Sequence, residues 1–389
     1  MESIKIHNFG PIKDVDINLS KLMVFIGPQG SGKSAIAKLL TILSDVLWRA
    51  NVCEKEDPID EFKNMGIDKY FNSDTYIEYH GRENVNIVYQ SGIFDISIDG
   101  YSPEKTCNYF KTLVGLSASN SIGLDQPITD LQLDKAVNDN YNYLRANLRF
   151  ACYIPAERNL AGAVSSSLAS LVLSKIPLPN TLMEYMSLFE RAKNHYTTYD
   201  APFLGVRYNK SKGADCISVL ENNEKYLPLE DCSSGIQSAL PMLMVTDYAC
   251  EDKCFDTYVV EEPEQNLFPS NQREVLNKLI SLSNKENCKY MIINTHSPYL
   301  LSALNVNMLA AKLSNTGVDN TEFDNIVPAQ FRIESTDVSA FSLGGEPYCK
   351  SIMDSKTGLI SVNYLDVISD AISSDFNKLY QIYLKSLQK

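Results

Sequence analysis

The stretch from Leu22 to Ser34 (LMVFIGPQGSGKS) decides the fold of this chain. An apolar run over 22–26 is followed by a glycine-rich turn, and residues 33–48 then carry apolar side chains at helical spacing. This order of strand, glycine loop and helix fits the pattern G-x-x-x-x-G-K-[ST]. Glycines let the backbone wrap closely around phosphate oxygens, and the first amides of the helix attract anions. The stretch therefore predicts a site for a nucleoside triphosphate.

Residues 27–34, here called the P-loop, are all predicted to contact the nucleotide. The lysine is expected to reach the β- and γ-phosphates, and the final serine is expected to ligate Mg²⁺. The predicted phosphate-binding residues are Gly27, Pro28, Gln29, Gly30, Ser31, Gly32, Lys33 and Ser34. The predicted cofactors are ATP and Mg²⁺.

A second buried strand ends in two adjacent carboxylates. Residues 255–260 (FDTYVV) form an apolar run, and Glu261 and Glu262 follow it. Ligands of open α/β folds bind at the carboxyl ends of the strands. Glu261 is predicted to hold Mg²⁺ directly or through water, and Glu262 to orient or deprotonate the attacking water as a catalytic residue. Acidic residues also follow strands as solvated turn residues, so this prediction depends on the P-loop in the same chain.

A histidine follows the next predicted strand. Residues 290–293 (YMII) form that strand, and Thr295, His296 and Ser297 come directly after it. A lone histidine is usually a polar group satisfied by its neighbours. The position of His296, one crossover after the carboxylate pair, instead suits a catalytic sensor of the γ-phosphate.

A fourth motif, residues 232–237 (CSSGIQ), is here called the signature loop. Small residues and a glycine at a helix start form an anion site, although the same residues also serve as a plain helix cap. One chain does not need two cradles for a γ-phosphate. We therefore expect the loop to contact ATP held by the P-loop of a second copy. The predicted nucleotide-binding residues of this loop are Ser233, Ser234, Gly235 and Gln237.

The order of these motifs resembles that of the ABC-type ATPases of the OLD, RecF and SMC group. More closely, it is similar to the stand-alone AAA-domain ATPases of bacterial antiphage systems such as Septu and PARIS. The resemblance is strongest over 1–40, 151–160 and 229–305. It implies that Lys33 and Ser34 bind nucleotide and Mg²⁺, that Glu262 is the hydrolytic base and that His296 is the switch histidine. It also implies that Ser234 and Gly235 contact ATP in trans.

Some positions depart from the family pattern. Residues 264–269 lie where the family has its dimer-contacting D-loop, but Phe268 replaces the histidine common there, so we assign it no role. The Q-loop of the family has two candidates, Gln90 and the segment Tyr153–Arg158, and the sequence does not decide between them.

The predicted fold is an α/β P-loop NTPase that resembles an ABC-type ATPase head, with a mixed or parallel central sheet. An antiparallel β subdomain and a helical insertion are expected within it. The predicted domains are an N-terminal lobe (1–103), an insertion with a β segment (104–228) and a C-terminal lobe (229–389). Residues 2–8 and 14–19 are predicted edge strands, 75–98 short antiparallel strands and 51–73 an exposed acidic surface.

The rest of the chain is expected to be mostly helical outside the strands already named. Mixed, mainly helical structure is predicted over 104–150 and helices over 159–198, followed by strands over 202–228. Further helices are predicted over 271–282, 298–312 and 359–388. The segment 339–388 is expected to pack at the edge of the sheet, with no assigned function.

The composition excludes several classes of function. The formal net charge is −13, from 35 Lys and Arg against 48 Asp and Glu, which disfavours coating of DNA. The nine cysteines include no Cys-x-x-Cys pair, so reduced thiols are expected and a zinc site is not. The first residues (MESIKIHNFG) have no apolar signal core and no apolar run is long enough to span a bilayer. We expect a cytoplasmic protein without membrane association.

The function expected from the sequence is an ATP-driven dimer that controls a partner effector, a nuclease or toxin. A TOPRIM nuclease domain needs an Asp-x-Asp pair, and the sequence after Ser297 contains none, so no nuclease is expected in this chain. One alternative is a DNA-repair or chromosome-associated ATPase similar to RecF and SMC. Another is a scaffold that binds ATP structurally and rarely hydrolyses it.

Overall fold

The computed structural model describes residues 2–54, 57–81, 84–122, 150–164, 177–211, 214–252, 255–316, 321–361 and 364–386. The predicted structure over 123–149 and 165–176 lies outside these residues. The strands are β1 Ser3–Phe9, β2 Ile12–Asn18, β3 Leu22–Ile26, β4 Tyr76–His80, β5 Val85–Gln90, β6 Ile93–Ile98, β7 Phe150–Ile154, β8 Thr198–Ala201, β9 Val206–Ser211, β10 Ala214–Val219, β11 Asn222–Pro228, β12 Phe255–Glu261, β13 Tyr290–Asn294, β14 Val338–Leu343 and β15 Cys349–Ser351.

The α-helices follow the same chain order. They are α1 Lys33–Ser44, α2 Val46–Cys53, α3 Asp60–Asn64, α4 Pro103–Ile122, α5 Asn159–Ala163, α6 Asn180–His195, α7 Ser234–Asp252, α8 Pro269–Ser283, α9 Pro298–Ser314, α10 Thr321–Asp324 and α11 Tyr364–Ser386. Helices therefore alternate with the strands of the C-terminal part of the chain, as parallel strand connections require.

The central sheet has the strand order β15-β14-β3-β13-β12-β7. All neighbours from β14 to β7 are parallel, and only β15 is antiparallel, to β14. Every residue of β3 and of β13 is buried, because helices cover both faces of a parallel sheet. The prediction of an α/β P-loop fold with a mixed or parallel central sheet is confirmed.

Two antiparallel sheets flank this core, with the orders β2-β1-β4-β5-β6 and β11-β10-β9-β8. The prediction that the first strand of the chain lies at a sheet edge was wrong for β1. Its residues pair with β2 on one side and with β4 on the other, so that Ile6 lies opposite Val15 and Ile77. The partner strand β4 is distant in sequence, which a local pattern cannot show.

The helix predicted over 33–48 is interrupted. It ends at Ser44, and α2 begins at Val46, because the carboxylate of Asp45 accepts from the backbone amides of Leu47 (2.7 Å) and Trp48 (3.2 Å). Aspartate is a favoured N-cap residue, since its side chain satisfies amides that a new helix leaves unpaired.

The segment 51–73 is not simply the exposed acidic surface that was predicted. Phe62 on α3 is fully buried, and its ring lies 4.9 Å from that of Phe71 and 6.0 Å from that of Trp48. Glu54, Asp57 and Asp60 are exposed, while the aromatic residues of the segment pack in the core beneath the antiparallel sheet. The acidic composition therefore concealed a packed element.

The C-terminal segment completes the central sheet. Strand β14 pairs in parallel with β3, with Phe341 opposite Phe25, and β15 forms the outer edge. The prediction of a sheet-edge element in 339–388 is therefore confirmed. The predicted helix over 359–388 is α11, on which Ile372 and Phe376 are exposed.

Two further observations concern the described residues as a whole. Their cysteines are all free, and Cys152 and Cys288 are buried. In the same residues, no helix combines the length and the apolar character needed to cross a membrane.

Candidate nucleotide site

The P-loop joins the end of β3 to the start of α1. Gly27, Gly30 and Gly32 have φ of 146°, 74° and 83°, conformations that side chains with a Cβ rarely adopt. A Cβ on Gly27 would lie 2.6 Å from the carbonyl oxygen of Leu343. Glycine is therefore required here by both conformation and close approach to β14.

Lys33 lies against the inner side of this loop. Its Nζ donates to the carbonyl oxygens of Gly27 (2.8 Å) and Pro28 (2.9 Å), and the residue is only 8% exposed. Burial lowers the pKa of Lys33, and the nearby carboxylates of Glu262 and Glu261 oppose this shift. An ammonium group thus faces the acidic end of the sheet, where a triphosphate would bring further negative charge.

The remaining polar groups of the loop fit a triphosphate with a divalent cation. The hydroxyl of Ser31 is buried and has no hydrogen-bond partner within the described residues. Ser34 follows Lys33 at the first turn of α1. Orphaned donors beside a helix N-terminus suit phosphate oxygens.

A tyrosine from the far end of the chain holds the P-loop in place. The hydroxyl of Tyr348 lies 2.7 Å from the carbonyl oxygen of Ser31 and 2.9 Å from that of Pro11. Residues 343–349, here called the tail hairpin, connect β14 to β15, and Gly344 also lies beside Pro28. Sequence analysis missed Tyr348, because only the folded chain brings it to the loop.

The two carboxylates lie at the carboxyl end of β12. Glu261 is opposite Asn294 of β13, and the hydroxyl of Tyr153 donates to Oε1 of Glu261. Burial and the charge of Glu261 raise the pKa of Tyr153 well above its usual value, so this hydroxyl stays a donor. Glu262 has φ of 44°, and its amide donates to the carbonyl of Asn294 at 2.8 Å. The chain therefore turns sharply between the two carboxylates.

A buried arginine fixes that turn. Arg158 is 0% exposed, and its Nη1 and Nη2 each donate at 2.6 Å, to the carbonyl oxygens of Glu261 and Glu262. Burial lowers the pKa of Arg158, while the neighbouring carboxylates of Glu264 and Glu262 favour its charged form. The sequence offered Tyr153–Arg158 as a Q-loop candidate, and the structure brings it to the carboxylates. Gln90, the other candidate, is exposed at the end of β5.

His296 faces the second carboxylate. Its Nε2 lies 3.8 Å from Oε1 of Glu262, and burial together with the charge of Lys33 lowers the pKa of the imidazole. The buried carboxylate of Glu264 accepts from the amide of His296 (2.7 Å) and the hydroxyl of Thr295 (2.8 Å). Glu264 thus ties the segment after β12 to the segment after β13, a role that sequence analysis did not predict.

Asn294 carries another side chain that sequence analysis missed. It is 2% exposed, and neither Oδ1 nor Nδ2 has a hydrogen-bond partner within the described part of the chain. Because Asn294 is in register with Glu261, both side chains leave the same face of the sheet. The sequence does show a polar residue directly after the apolar run YMII, which could have indicated this position.

The signature loop lies at the start of α7 and is open to solvent. Ser233 and Ser234 are exposed, and a Cβ on Gly235 would lie 2.7 Å from the carbonyl oxygen of Asn266. The side-chain nitrogen Nε2 of Gln237 donates to the carbonyl oxygens of Glu230 and Cys232, and these bonds stabilise the conformation of the loop. Among the hydrogen bonds of the described residues, none joins this loop to the P-loop of the same chain.

The surroundings of the predicted metal ligands suit a cation bound chiefly through phosphate oxygens. Within the described ranges, no group of three or more His, Cys, Asp or Glu side chains could hold a metal ion alone. Ser34 and Glu261 would each supply one oxygen, and Mg²⁺ commonly takes its other ligands from phosphates and water. Phe268, which has no assigned role, is 76% exposed beyond the carboxylates.

Comparisons with known proteins identify the family of this chain. The model of the AAA ATPase domain family matches residues 1–148 and 179–301. The OLD nuclease of Thermus scotoductus (strain ATCC 700910 / SA-01) is 21% identical over 331 residues, which cover 77% of this chain and 59% of that protein. This chain therefore spans less than two thirds of that relative.

Solved structures of SMC heads also align with the chain. An SMC head bound to the C-terminal winged-helix domain of ScpA covers 90% of this chain and 97% of its own, at 14% identity and a TM-score of 0.41. The SMC head domain from Thermotoga maritima covers 78% and 91%, at 13% identity and a TM-score of 0.38. Because the family model matches most of the chain, the protein belongs to the AAA ATPase domain family.

Proposed function

We propose that the protein binds Mg²⁺-ATP and hydrolyses it, with Glu262 as the general base. The observation that carries this proposal is the convergence of charged groups at one end of the central sheet. Glu262 and Glu261 act electrostatically on Lys33, and His296 lies 3.8 Å from Glu262. Phosphoryl transfer needs mainly positioning and charge stabilisation, which such a cluster supplies.

Each residue has a distinct role in this proposal. The P-loop amides and Lys33 bind the phosphates, and Ser34 and Glu261 hold the cation. The cation, when bound, neutralises charge that develops on the phosphate oxygens. Glu262 orients and deprotonates the attacking water. The neutral imidazole of His296 contacts the γ-phosphate and so links its presence to Glu262.

The complete site is proposed to need a second copy of the chain. The exposure of Ser233 and Ser234, with no hydrogen bond to their own P-loop in the described residues, supports contact with ATP in trans. Head-to-tail pairing places each signature loop over the P-loop of the partner copy and forms two equivalent sites. Gln237 supports the shape of the loop through its bonds to Glu230 and Cys232.

The closed dimer is proposed to control a nuclease or toxin supplied by a partner protein, in bacterial antiphage defence in the cytoplasm. The match to a protein named OLD nuclease, and the resemblance of the motifs to Septu and PARIS ATPases, support this choice. The insertion 104–228, between the lobes 1–103 and 229–389, is proposed to pass the change to the effector. The net charge of −13 disfavours the alternative, a DNA-repair ATPase.

The test uses Glu262→Gln, which keeps the shape of the side chain but removes the base. We expect turnover to fall at least about 100-fold, since a general base contributes roughly 10²–10⁴-fold. Mass photometry with Mg²⁺-ATP is expected to show a stable dimer of the variant, and monomer without nucleotide. Glu104→Gln, an exposed position on α4, is the matched control. An assembly state that never responds to ATP, in variant or wild type, would overturn the dimer proposal.

A further inference from the structure

One short segment, residues 153–163, contacts both the catalytic carboxylates and the signature helix, which is the helix α7 that begins in the signature loop. Strand β7 places Tyr153 against Glu261, and Arg158 follows four residues after the strand. Helix α5 begins directly after Arg158 and packs on α7, the helix that starts in the signature loop. Within this segment, Tyr153 and Arg158 contact the carboxylate residues, and Gly162 contacts the signature helix.

The contact with the carboxylates is made by a buried guanidinium. Arg158 donates from two different nitrogens to two successive carbonyl oxygens, those of Glu261 and Glu262, at 2.6 Å each. Such charge-assisted bonds are short and directional, and the planar fork of arginine fixes both acceptors at once. A residue with φ of 44°, as Glu262 has, is held only where its surroundings determine its backbone. Arg158 therefore fixes the backbone turn from which the Glu262 side chain extends.

The contact with the signature helix is made by backbone. A Cβ on Gly162 would lie 2.6 Å from the carbonyl oxygen of Gln237 and 2.9 Å from its Cα. The two helices thus touch without an intervening side chain, and a movement of Gln237 must be transmitted to α5. Closely packed backbones transmit displacement because no flexible group lies between them.

Gln237 is bonded to both the signature loop and the residues just before it. The side-chain amide of Gln237 donates to the carbonyl oxygens of Glu230 (2.7 Å) and Cys232 (3.0 Å), on the other side of the loop. Any ligand that shifts Ser233 or Ser234 therefore pulls on the same residue that contacts Gly162. A continuous path of packed groups joins the signature loop to Glu262.

We propose that this path makes Arg158 a positioning residue that couples the signature loop of each chain to the Glu262 of the same chain. The inference rests on the head-to-tail dimer of the proposed function. ATP held by the partner's P-loop presses on the signature loop, α5 shifts with α7, and Arg158 brings the turn at Glu262 into its hydrolytic position. Each site then hydrolyses efficiently only when the other site is filled.

The experiment alters each end of the path separately. Arg158→Lys keeps the positive charge but lacks the planar fork with which two separate nitrogens of Arg158 each donate to one carbonyl. We expect its turnover to fall at least about 10-fold, since lost hydrogen bonds to a charged group amount to roughly 1.5–3 kcal/mol. Its ATP affinity, measured with a fluorescent ATP analogue, should change less than about twofold, because the P-loop is untouched.

Gly162→Ala alters the other end, at the contact with Gln237 and outside the P-loop. Its added methyl separates α5 from α7, and we expect the Hill coefficient of the ATPase rate to fall from well above 1 in the wild type towards 1. The control is Ala163→Ser, which adds one atom to the same helix at an exposed position. Thermal unfolding of each variant is followed in parallel.

The outcomes separate this inference from the proposed function. If mass photometry shows the ATP-dependent dimer but Gly162→Ala keeps the wild-type Hill coefficient, the coupling is wrong and the dimer stands. The coupling is also wrong if Arg158→Lys loses ATP affinity and turnover in equal measure. Gly162→Ala with a lower melting temperature and an unchanged Hill coefficient shows only a packing role. If no dimer forms with ATP, both proposals fail.

Discussion

The Nε2 atom of His296 lies 3.8 Å from Oε1 of Glu262, at the ends of two neighbouring parallel strands. Burial and the charge of Lys33 lower the pKa of this imidazole, and Glu262 only partly opposes them. The histidine therefore stays neutral to a lower pH than a histidine in water does. A neutral ring keeps one nitrogen as a donor and the other as an acceptor.

The first prediction follows from this shift. ATPase activity should decline as the pH falls into the range where His296 becomes protonated, and this range lies below that of an ordinary histidine. In the same range the folded protein should lose stability, because the unfolded chain binds the proton first. His296→Ala should remove that part of the pH dependence of unfolding and lower turnover. Urea unfolding between pH 5 and 8 measures the stability, and steady-state rates over the same range measure the turnover. His7→Ala, at an exposed site, is the control. Equal pH profiles for His296→Ala and wild type would contradict the assignment.

The second prediction concerns Glu264, whose pKa is raised because the carboxylate is buried. Glu264→Gln keeps an oxygen that accepts from Thr295 and from the amide of His296. As the pH falls towards the ordinary pKa of a glutamate, the folded wild type takes up a proton before the unfolded chain does. The wild type should therefore gain stability relative to Glu264→Gln over this range. Denaturant titrations of both proteins at several pH values give the difference, and a difference independent of pH would contradict the shift.

The third prediction tests Asn294, whose amide has no partner in the described residues. Asn294→Leu has nearly the same shape and removes a buried polar group. We expect the free protein to gain about 1–3 kcal/mol of unfolding free energy, the cost of an unsatisfied group. At the same time ATP turnover should fall, because the amide lies beside Glu261 on the catalytic face. Leu304→Met, a buried substitution of similar volume on α9, is the control. Unchanged stability together with unchanged turnover would show that Asn294 plays neither role.

The fourth prediction concerns Tyr348. Tyr348→Phe keeps the ring but removes the hydroxyl that contacts Ser31 and Pro11. We expect a loss of about 0.5–1.5 kcal/mol of stability and a several-fold weaker ATP affinity, since the P-loop is no longer held. Isothermal titration calorimetry measures the affinity. Tyr226→Phe on β11, where the side chain is exposed, should change neither quantity. If both variants bind ATP as tightly as the wild type, the tail hairpin does not support the loop.

The parts of the site that lie on continuous motifs could be predicted from the sequence. The P-loop, the carboxylate pair and His296 each follow a strand whose apolar run is visible locally, and the structure brings them together. Glycine positions in the P-loop were predictable because φ of 146° or 83° excludes most other residues.

Other contacts of the site could not be predicted, because they join residues that are distant in the sequence. Tyr348 contacts Ser31, and Arg158 contacts the carbonyls of Glu261 and Glu262. Nothing in the local pattern of either residue indicates such a contact. The interruption at Asp45 was predictable in principle, because aspartate before an apolar run is an N-cap signal, but the helical spacing continued through it.

The place of β3 in the central sheet has a consequence for synthesis of the protein. This strand lies between β13 and β14, residues 290–294 and 338–343, both of which are synthesised long after it. During synthesis, β3 cannot pair in the central sheet until β13 and β14 have been made. The strands of the antiparallel sheet β2-β1-β4-β5-β6 can pair earlier. Nucleotide therefore cannot stabilise early intermediates. The ability to bind ATP arises late in folding and marks a chain that has completed its central sheet.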